Sequence, residues 1–548
     1  MEKEYLLNIF KDSLSKIGVD DTSILTFETP NNPEFGDVAC NVAMQLARTL
    51  KKNPRAIAEE IIANLEYNNE VIEKVDIAGA GFINIKFSPI FYSILFEKIR
   101  QHGKDYGKQD LGKGIKVNVE YVSANPTGLL HLGHGRNAVI GDTVANLFEW
   151  MGYDVTREYY FNNAGNQMNN LGKSIYARYQ QIENPEFPLP ENAYHGEYIK
   201  VIAQKLYDAN PKVYMNLDED SPLFAELRKA GEEWCFFSIK KTLANLKIIQ
   251  DVFYNEDSLY SEGKIEEVLS LLKDKGLSYE KDGATWLKLS EMGLDADRVI
   301  VKSSGEPTYR LPDIAYHIEK FKRGFDIIVD VFGADHIATI PDVMQTLEYL
   351  GYDKSKISVL IHQFVTLTEN GEQVKMSKRT GKSYTLDDLL EEVGEDVVRF
   401  FFIMRSISTH LEFDLGLAKE QGEKNPVFYL QYAHARTCSV FENASQKGIT
   451  LNDKYDYKLL NNEAEINLIK QLIRFPELIS ISCEKRESHI LAEYLKEVAA
   501  SFHKFFHDCR IIDSEKNIRD ARLQLVNFTR IVMKNGLTIL GINAPEKM

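Results

Sequence analysis

Apolar residues recur at helical spacing from the start of the chain: Leu6, Phe10, Leu14 and Ile17 share one face, which predicts an amphipathic N-terminal helix. A turn-rich run from Thr29 to Asp37 follows, and later Gly81–Phe87 alternates at period 2 as a strand does. A glycine- and lysine-rich stretch, 103–114, reads as a linker. Beyond it Val117, Val119 and Tyr121 alternate with Lys116, Asn118 and Glu120, again a strand. A loop, Ser123–Gly128, leads into a new period: Ile140, Val144, Leu147 and Met151 predict a helix with Gly152 as its stop. Three prolines at 185, 188 and 190 mark an inserted loop. Ile327–Phe332 reads as a buried strand running into Gly333-Ala334-Asp335-His336. Strands alternating with helices imply a mostly parallel sheet, with ligands at the carboxyl ends of its strands. From about residue 385 the pattern is helical to the end. Thr385 with Asp387 and Asp388 fits a helix start, and Ile518, Ala521, Leu525, Phe528 and Val532 form a core stripe closed by Gly536.

At 548 residues the chain is long enough for three or four domains of about 150 residues each. Hydrophobic residues at 44% and charged ones at 27% are ordinary for globular proteins, which argues against a disordered or fibrous chain. No run approaches the roughly 18 apolar residues of a membrane span, and the N-terminus lacks a signal-peptide pattern, so a cytoplasmic protein that meets no membrane is expected. The five cysteines are scattered without a Cys-x-x-Cys pair, which predicts neither a disulfide framework nor structural zinc. The net charge of −16 speaks against nucleic acid on the sum alone, but the distribution of charge decides such binding.

Two short segments carry chemistry. His131-Leu132-Gly133-His134 sits between a strand and a helix start, where imidazoles and a helix N-terminus can meet phosphates. Taken alone, the two histidines are equally well read as surface or satisfied ones. Lys375-Met376-Ser377-Lys378, continuing through Arg379 to Lys382, places four basic residues in eight, a cationic loop able to hold a triphosphate or simply to be solvated.

Together the two segments resemble the signature motifs of class I aminoacyl-tRNA synthetases. Their surroundings resemble the arginyl-tRNA synthetase family over essentially the whole chain. Glu120-Tyr121-Val122-Ser123-Ala124-Asn125-Pro126-Thr127-Gly128 is similar to its adenylate loop, Thr308–Tyr316 to its arginine-pocket segment, and Asn425–Arg436 to the entry of its anticodon-binding domain. Phe35-Gly36-Asp37 and Gly81–Asn84 match its N-terminal module, and Ala544–Met548 its ending. Leu129 and Ala80 stand where the family usually has proline, Asn255 replaces a usual serine, and Ile337-Ala338-Thr339 replaces a more usual His-Gly-Tyr.

The resemblance implies an α/β fold: a Rossmann-like parallel-sheet catalytic domain with a small α+β N-terminal domain and an all-α C-terminal helical bundle. It places a tRNA D-arm-binding domain at 1–110, the catalytic domain at 111–385 with an insertion near 155–260, and a helical linker and anticodon-binding domain at 386–548. It implies activation of L-arginine with ATP and Mg²⁺, without zinc, and transfer to the 2′-hydroxyl of the terminal adenosine of tRNA-Arg, by a monomer. His131, His134, Lys375 and Lys378 would act on the phosphates. Thr127, Gly128, Gly133, Gly333, His336, Met376 and Ser377 would complete the ATP site, with Ala124, Pro126, Leu129, Leu130 and Leu132 shaping the signature loop. Glu120, Ser123, Asn125, Glu256, Tyr309, Asp313 and Asp335 would bind arginine. Phe82, Asn84, Tyr429, Gln431, Tyr432, His434 and Arg436 would meet tRNA. A small-molecule adenylyltransferase or a non-catalytic RNA-binding relative are the alternatives; the helical C-terminal domain tells against the first and the intact motifs against the second.

Overall fold

The computed structural model describes all residues except Met1, Thr29, Asn31, Ala164, Glu219, Asp220 and 375–383. Residues 1–106, 440–473 and 501–531 form one compact unit, and 107–439, 474–500 and 532–548 a second. In the first, Leu6, Phe10 and Leu14 on the helix Glu2–Lys16 share one buried core with Ile83, Ile85 and Phe87 of the strand Phe82–Phe87. The sheet here is antiparallel and four-stranded, in the order 27–28, 38–40, 82–87, 72–78. The helical part of this unit draws its core from the stripe Ala521, Leu525 and Phe528.

The second unit holds the sheet that builds the site. Its five parallel strands are β1 (Lys116–Glu120), β2 (Asp154–Phe161), β3 (Val252–Asn255), β4 (Ile327–Gly333) and β5 (Ile357–His362). They lie side by side in the order β5-β4-β1-β2-β3. Chain order runs outward from β1 to β3 and then returns to β4, so β1 and β4 flank the switch point at which such sheets bind ligands. The helix Leu132–Trp150 crosses from β1 to β2 and is buried nearly all round. Gly152 ends it as the spacing predicts, at φ +80°, where a side chain would strain the turn.

Between β2 and β3 the helices Gly165–Glu183, Glu197–Ala209 and Pro222–Asn245 pack around a core of their own, and the prolines at 185–190 sit in the loop joining the first two. One expectation fails at the C-terminus. Gly536 does not stop a helix; Lys516–Ile539 runs through it, and a Cβ there would lie 2.4 Å from Leu495 Cδ2, so the glycine admits a close packing contact instead. Among the described residues no helix is long and apolar enough to cross a membrane.

Candidate active site

The site lies at the carboxyl edge of the parallel sheet. β1 ends in Glu120, and the chain then turns through Val122 and Ser123, both at positive φ (70° and 42°). Ser123 Oγ donates to Glu120 Oε1 at 2.8 Å and accepts the Tyr160 N–H at 3.2 Å, which ties this loop to β2. Further along, Ala124 C=O accepts from Tyr159 OH at 2.6 Å, Asn125 Oδ1 accepts the Asn162 N–H at 3.1 Å, and Thr127 C=O accepts from Tyr198 OH at 2.5 Å. Ala124, Pro126 and Leu130 are buried. A side chain on Gly128 would press on Tyr198 OH. The loop is therefore held at nearly every residue before the histidines begin.

His131 caps the helix that follows. Its Nδ1 accepts from the Gly133 and His134 N–H groups at 3.1 and 3.3 Å, and His134 Nδ1 accepts the His131 N–H at 3.3 Å, a capping box built from two imidazoles. The rings stack with centroids 3.6 Å apart. With both Nδ1 atoms accepting, each neutral ring carries its proton on Nε2 and keeps that N–H as a donor for an incoming group. Burial lowers the pKa of His131 and takes that of His134 down to about 3, where neighbouring His131 and His362 add to the effect. His362, at the end of β5, is pushed down to about 4, mainly by burial. Three neutral imidazoles thus gather beside a helix N-terminus, an arrangement suited to phosphate oxygens.

Across the sheet face lies a second, acidic arrangement. Asp330, Glu120 and Glu158 are register partners on β4, β1 and β2, so their side chains stand in a row on one face. All three are buried. The helix Arg310–Lys322 covers this row and turns Asp313, Tyr316, His317 and Lys320 toward it, at the i, i+3, i+4, i+7 positions of one face. Lys320, fully buried, donates to Glu120 Oε2 at 2.5 Å and Asp330 Oδ1 at 2.6 Å. Asp330 Oδ2 also meets His317 Nε2 at 3.0 Å, and Arg323 grips Glu158 with two bonds of 2.6 and 2.7 Å. Burial works against charge at Asp330, but Lys320 and His317 outweigh it and hold the carboxyl ionised; Asp330 in turn raises the pKa of His317 against the same burial.

Two further carboxyls have no such cation among the described residues. Glu256, just past β3, accepts from Tyr160 OH and Asn162 Nδ2 at 2.7 Å each, and burial raises its pKa. Asp313 is pushed up to about 7, first by burial and then by Glu256 and Glu120, against the opposing pull of His317 and Lys320. Among the described residues, two carboxyls raised by burial, Glu256 with neutral donors, thus stand together without a cation of their own.

Three family descriptions match the chain: the arginyl tRNA synthetase N-terminal domain over residues 4–87, the class I (R) tRNA synthetase catalytic domain over 96–401, and the DALR anticodon-binding domain over 430–548. An arginine–tRNA ligase of Salinibacter ruber is 47% identical, with 100% of each chain covered, and one of Bacillus subtilis is 44% identical over 100% of this chain and 99% of its own. The chain belongs to the arginyl-tRNA synthetase family. The fold agrees: the arginyl-tRNA synthetase of Thermus thermophilus superposes with a TM-score of 0.78 over 100% of both chains at 22% identity.

Set in a chain of the arginyl-tRNA synthetase family, the remaining expected residues are distributed unevenly. Glu120, Ser123, Asn125, Glu256 and Asp313 gather at one end of the sheet. Tyr309 caps the pocket helix with its side chain turned outward, 74% exposed. Gly333 precedes a short turn in which Asp335 and His336 are both largely exposed, their side chains 3.6 Å apart, with the His336 ring stacked on Phe332. Lys375, Met376, Ser377 and Lys378 lie outside the described residues. In the N-terminal module Phe82 is 40% exposed, whereas Asn84, on the same strand face, is only 5% exposed.

On the helix Pro426–Gln446, Gln431 donates to Asp396 Oδ2 at 2.8 Å and Asn543 C=O at 3.1 Å, and His434 contacts Pro545 C=O at 2.8 Å, so both fasten the C-terminal residues. Arg436 donates to Tyr432 OH at 2.6 Å and lies over its ring; Tyr429 and Tyr432 are half-buried. The sequence reading missed Tyr160, Asn162, Glu158, His317, Lys320 and His362. Only the alternation of β1 and β2 carried a signal: Glu158 and Tyr160 fall on the same strand face as a row of polar residues. Among the described residues no group of three or more His, Cys, Asp and Glu is placed to hold a metal ion.

Proposed function

We propose that the chain activates L-arginine with ATP and transfers the arginyl group to tRNA-Arg, at the 2′-hydroxyl of the terminal adenosine. The observation that carries this reading is the cation-poor pocket of Asp313 and Glu256, set beside a helix N-terminus capped by two neutral histidines. A guanidinium is planar and permanently charged, and two carboxyls with neutral supporting donors meet it in bidentate fashion. Ser123 and Asn125, on the loop held to β2, face the α-amino and carboxylate ends, with Asp335 serving the same ends and the exposed Tyr309 ring closing over the substrate side chain.

The first step joins the arginine carboxylate oxygen to the α-phosphorus of ATP and breaks the bond to the β-phosphate oxygen, releasing pyrophosphate. It asks for in-line placement and for donors on the phosphoryl oxygens, with no protein nucleophile. The Nε2–H groups of His131 and His134 supply neutral donors there, and Lys375 and Lys378 clamp the β and γ groups. Thr127, Gly128, Gly133, Gly333 and His336 line the nucleotide, which arrives with Mg²⁺ held by its phosphates and water. In the second step the ribose hydroxyl attacks the adenylate carbonyl and AMP leaves.

The tRNA is met by the N-terminal module, where Phe82 offers an exposed ring for stacking, and by the helical C-terminal region. The domain limits 1–110, 111–385 and 386–548, a monomeric cytoplasmic state and the lack of structural zinc belong to the same reading; sedimentation and metal analysis check the last points. The deciding experiment is arginine-dependent ATP–pyrophosphate exchange with and without tRNA. Exchange only with tRNA present supports activation coupled to RNA. Exchange without tRNA keeps the activity and removes the coupling. No exchange from folded protein in either condition overturns the reading in favour of a non-catalytic RNA-binding relative.

A further inference from the structure

The ladder between β1 and β4 stops at the Asp330–Glu120 pair. Each strand nonetheless continues with its outer neighbour: β4 pairs with β5 as far as Gly333–His362, and the Tyr121 N–H reaches Glu158 C=O on β2. The two central strands therefore part at the switch point, and the Val331 C=O and Val122 N–H that flank the gap have no ladder partner across it. One side chain takes both. Asn137 Nδ2 donates to Val331 O at 2.7 Å, and Asn137 Oδ1 accepts the Val122 N–H at 2.7 Å. Asn137 is buried on the helix Leu132–Trp150, one turn beyond His134, so its amide acts as a spacer peptide between the diverging strands.

The residue it grips is unusual. Val122 has φ +70° and Ser123 φ +42°. A β-branched residue almost never adopts positive φ, and such strain persists only where the surroundings over-determine it. What the strained pair achieves is direction: it turns Ser123 Oγ back onto Glu120 and leads Asn125 to the Asn162 amide. Without the Asn137 bond, Val122 has every reason to relax to negative φ and carry Ser123 and Asn125 away from the pocket.

We infer that Asn137 is a positioning residue for amino-acid binding: its amide spans the switch point and holds the Val122–Ser123 turn that aims Ser123 and Asn125. This rests on the arginine-activation reading above. The test compares the full-length chain with Asn137→Leu and with Asn137→Leu/Val122→Gly, in arginine-dependent exchange with tRNA present and in amide hydrogen exchange across 121–128. Asn137→Leu should raise the KM for arginine by about tenfold or more, change that for ATP by less than about threefold, and speed exchange of the Val122 amide. Adding Val122→Gly should recover at least about threefold of the arginine KM, because glycine holds positive φ unaided.

A role in helix packing alone would not be rescued by a glycine on the neighbouring loop. Unchanged arginine KM with unchanged Val122 exchange overturns the inference, and so does a loss that Val122→Gly fails to recover. A wild-type chain without exchange activity would reject the arginine reading instead, and the hydrogen-exchange arm would still decide the clamp. If Asn137→Leu does not fold, Asn137→Ala removes the same two bonds without added bulk.

Discussion

Arginine binding should expel a proton from Asp313. In the free chain this carboxyl sits at about 7, raised by burial and by Glu256 and Glu120, with His317 and Lys320 pulling the other way. A guanidinium against it favours the ionised form and lowers the pKa again. At pH 7 about half of the free chains carry the proton, and at pH 6 about nine-tenths do. If the bound pKa falls by two units or so, each arginine releases roughly 0.5 proton at pH 7 and roughly 0.8 at pH 6.

The affinity follows the same arithmetic, because the proton must leave before the ion pair forms. The apparent Kd should be about twofold weaker at pH 7 than at high pH and about tenfold weaker at pH 6, or ~1.4 kcal/mol. Titration calorimetry in two buffers of different ionisation enthalpy measures the release directly, from pH 6 to 8. Asp313→Asn, which cannot lose a proton, should abolish the component centred near 7. Release below about 0.2 proton at pH 6.5, or a Kd flat from pH 6 to 8, would refute the argument.

The same carboxyl should oppose folding at high pH. Its unfolded value is 3.8, so the stability it contributes is full below about 4 and is lost as pH rises through about 7. A free-chain Asp313→Asn variant should therefore melt higher at pH 8, by about 1–3 kcal/mol once partial solvent contact is discounted, and by only about a quarter of that at pH 4.5. His131→Asn keeps a good helix cap but loses the Nε2–H donor; exchange kcat should fall about 10²–10³-fold with the melting temperature nearly unchanged. Lys320→Met leaves Glu120 and Asp330 buried without their cation and should cost about 3–5 kcal/mol in unfolding experiments, with Asp330→Asn recovering part of it.

What could be read from the sequence was local. β1, its turn-rich loop and the histidine-started helix follow one another within Lys116–Trp150, so their periods and turn residues announced them and placed Glu120, Ser123, Asn125, His131 and His134 together. The acidic row was not legible, because Glu120 and Lys320 are 200 residues apart and only the strand order brings Asp330 and Glu158 to either side. His362 was hidden for the same reason: nothing near it marks the end of this edge strand as part of a site. Asn84 and His434 show the converse limit. An amide on a strand or an imidazole on a helix looks available for RNA until the fold buries it. Gly536 was read as a stop because glycine usually ends helices, whereas here Leu495 needs the space.

The balance of buried charge explains how such a pocket selects its substrate. Asp330, Glu120 and Glu158 are answered from within by Lys320, Arg323 and His317, while among the described residues Glu256 has the neutral donors Tyr160, Asn162 and Tyr260, and Asp313 has no cation to itself. On the proposed reading, the cation that completes the set comes with the substrate. Citrulline has nearly the shape of arginine but no charge, so it binds only where Asp313 keeps its proton. Its affinity should strengthen as pH falls through about 7, opposite in slope to that of arginine. At pH 8 the unpaired carboxylate should make discrimination about 10⁴-fold or more, and at pH 6 it should be about a hundredfold smaller, about tenfold from each ligand's slope. Competition of citrulline against arginine in the exchange assay, run from pH 6 to 8, measures the ratio. Parallel slopes for the two ligands would show that Asp313 does not face the guanidinium.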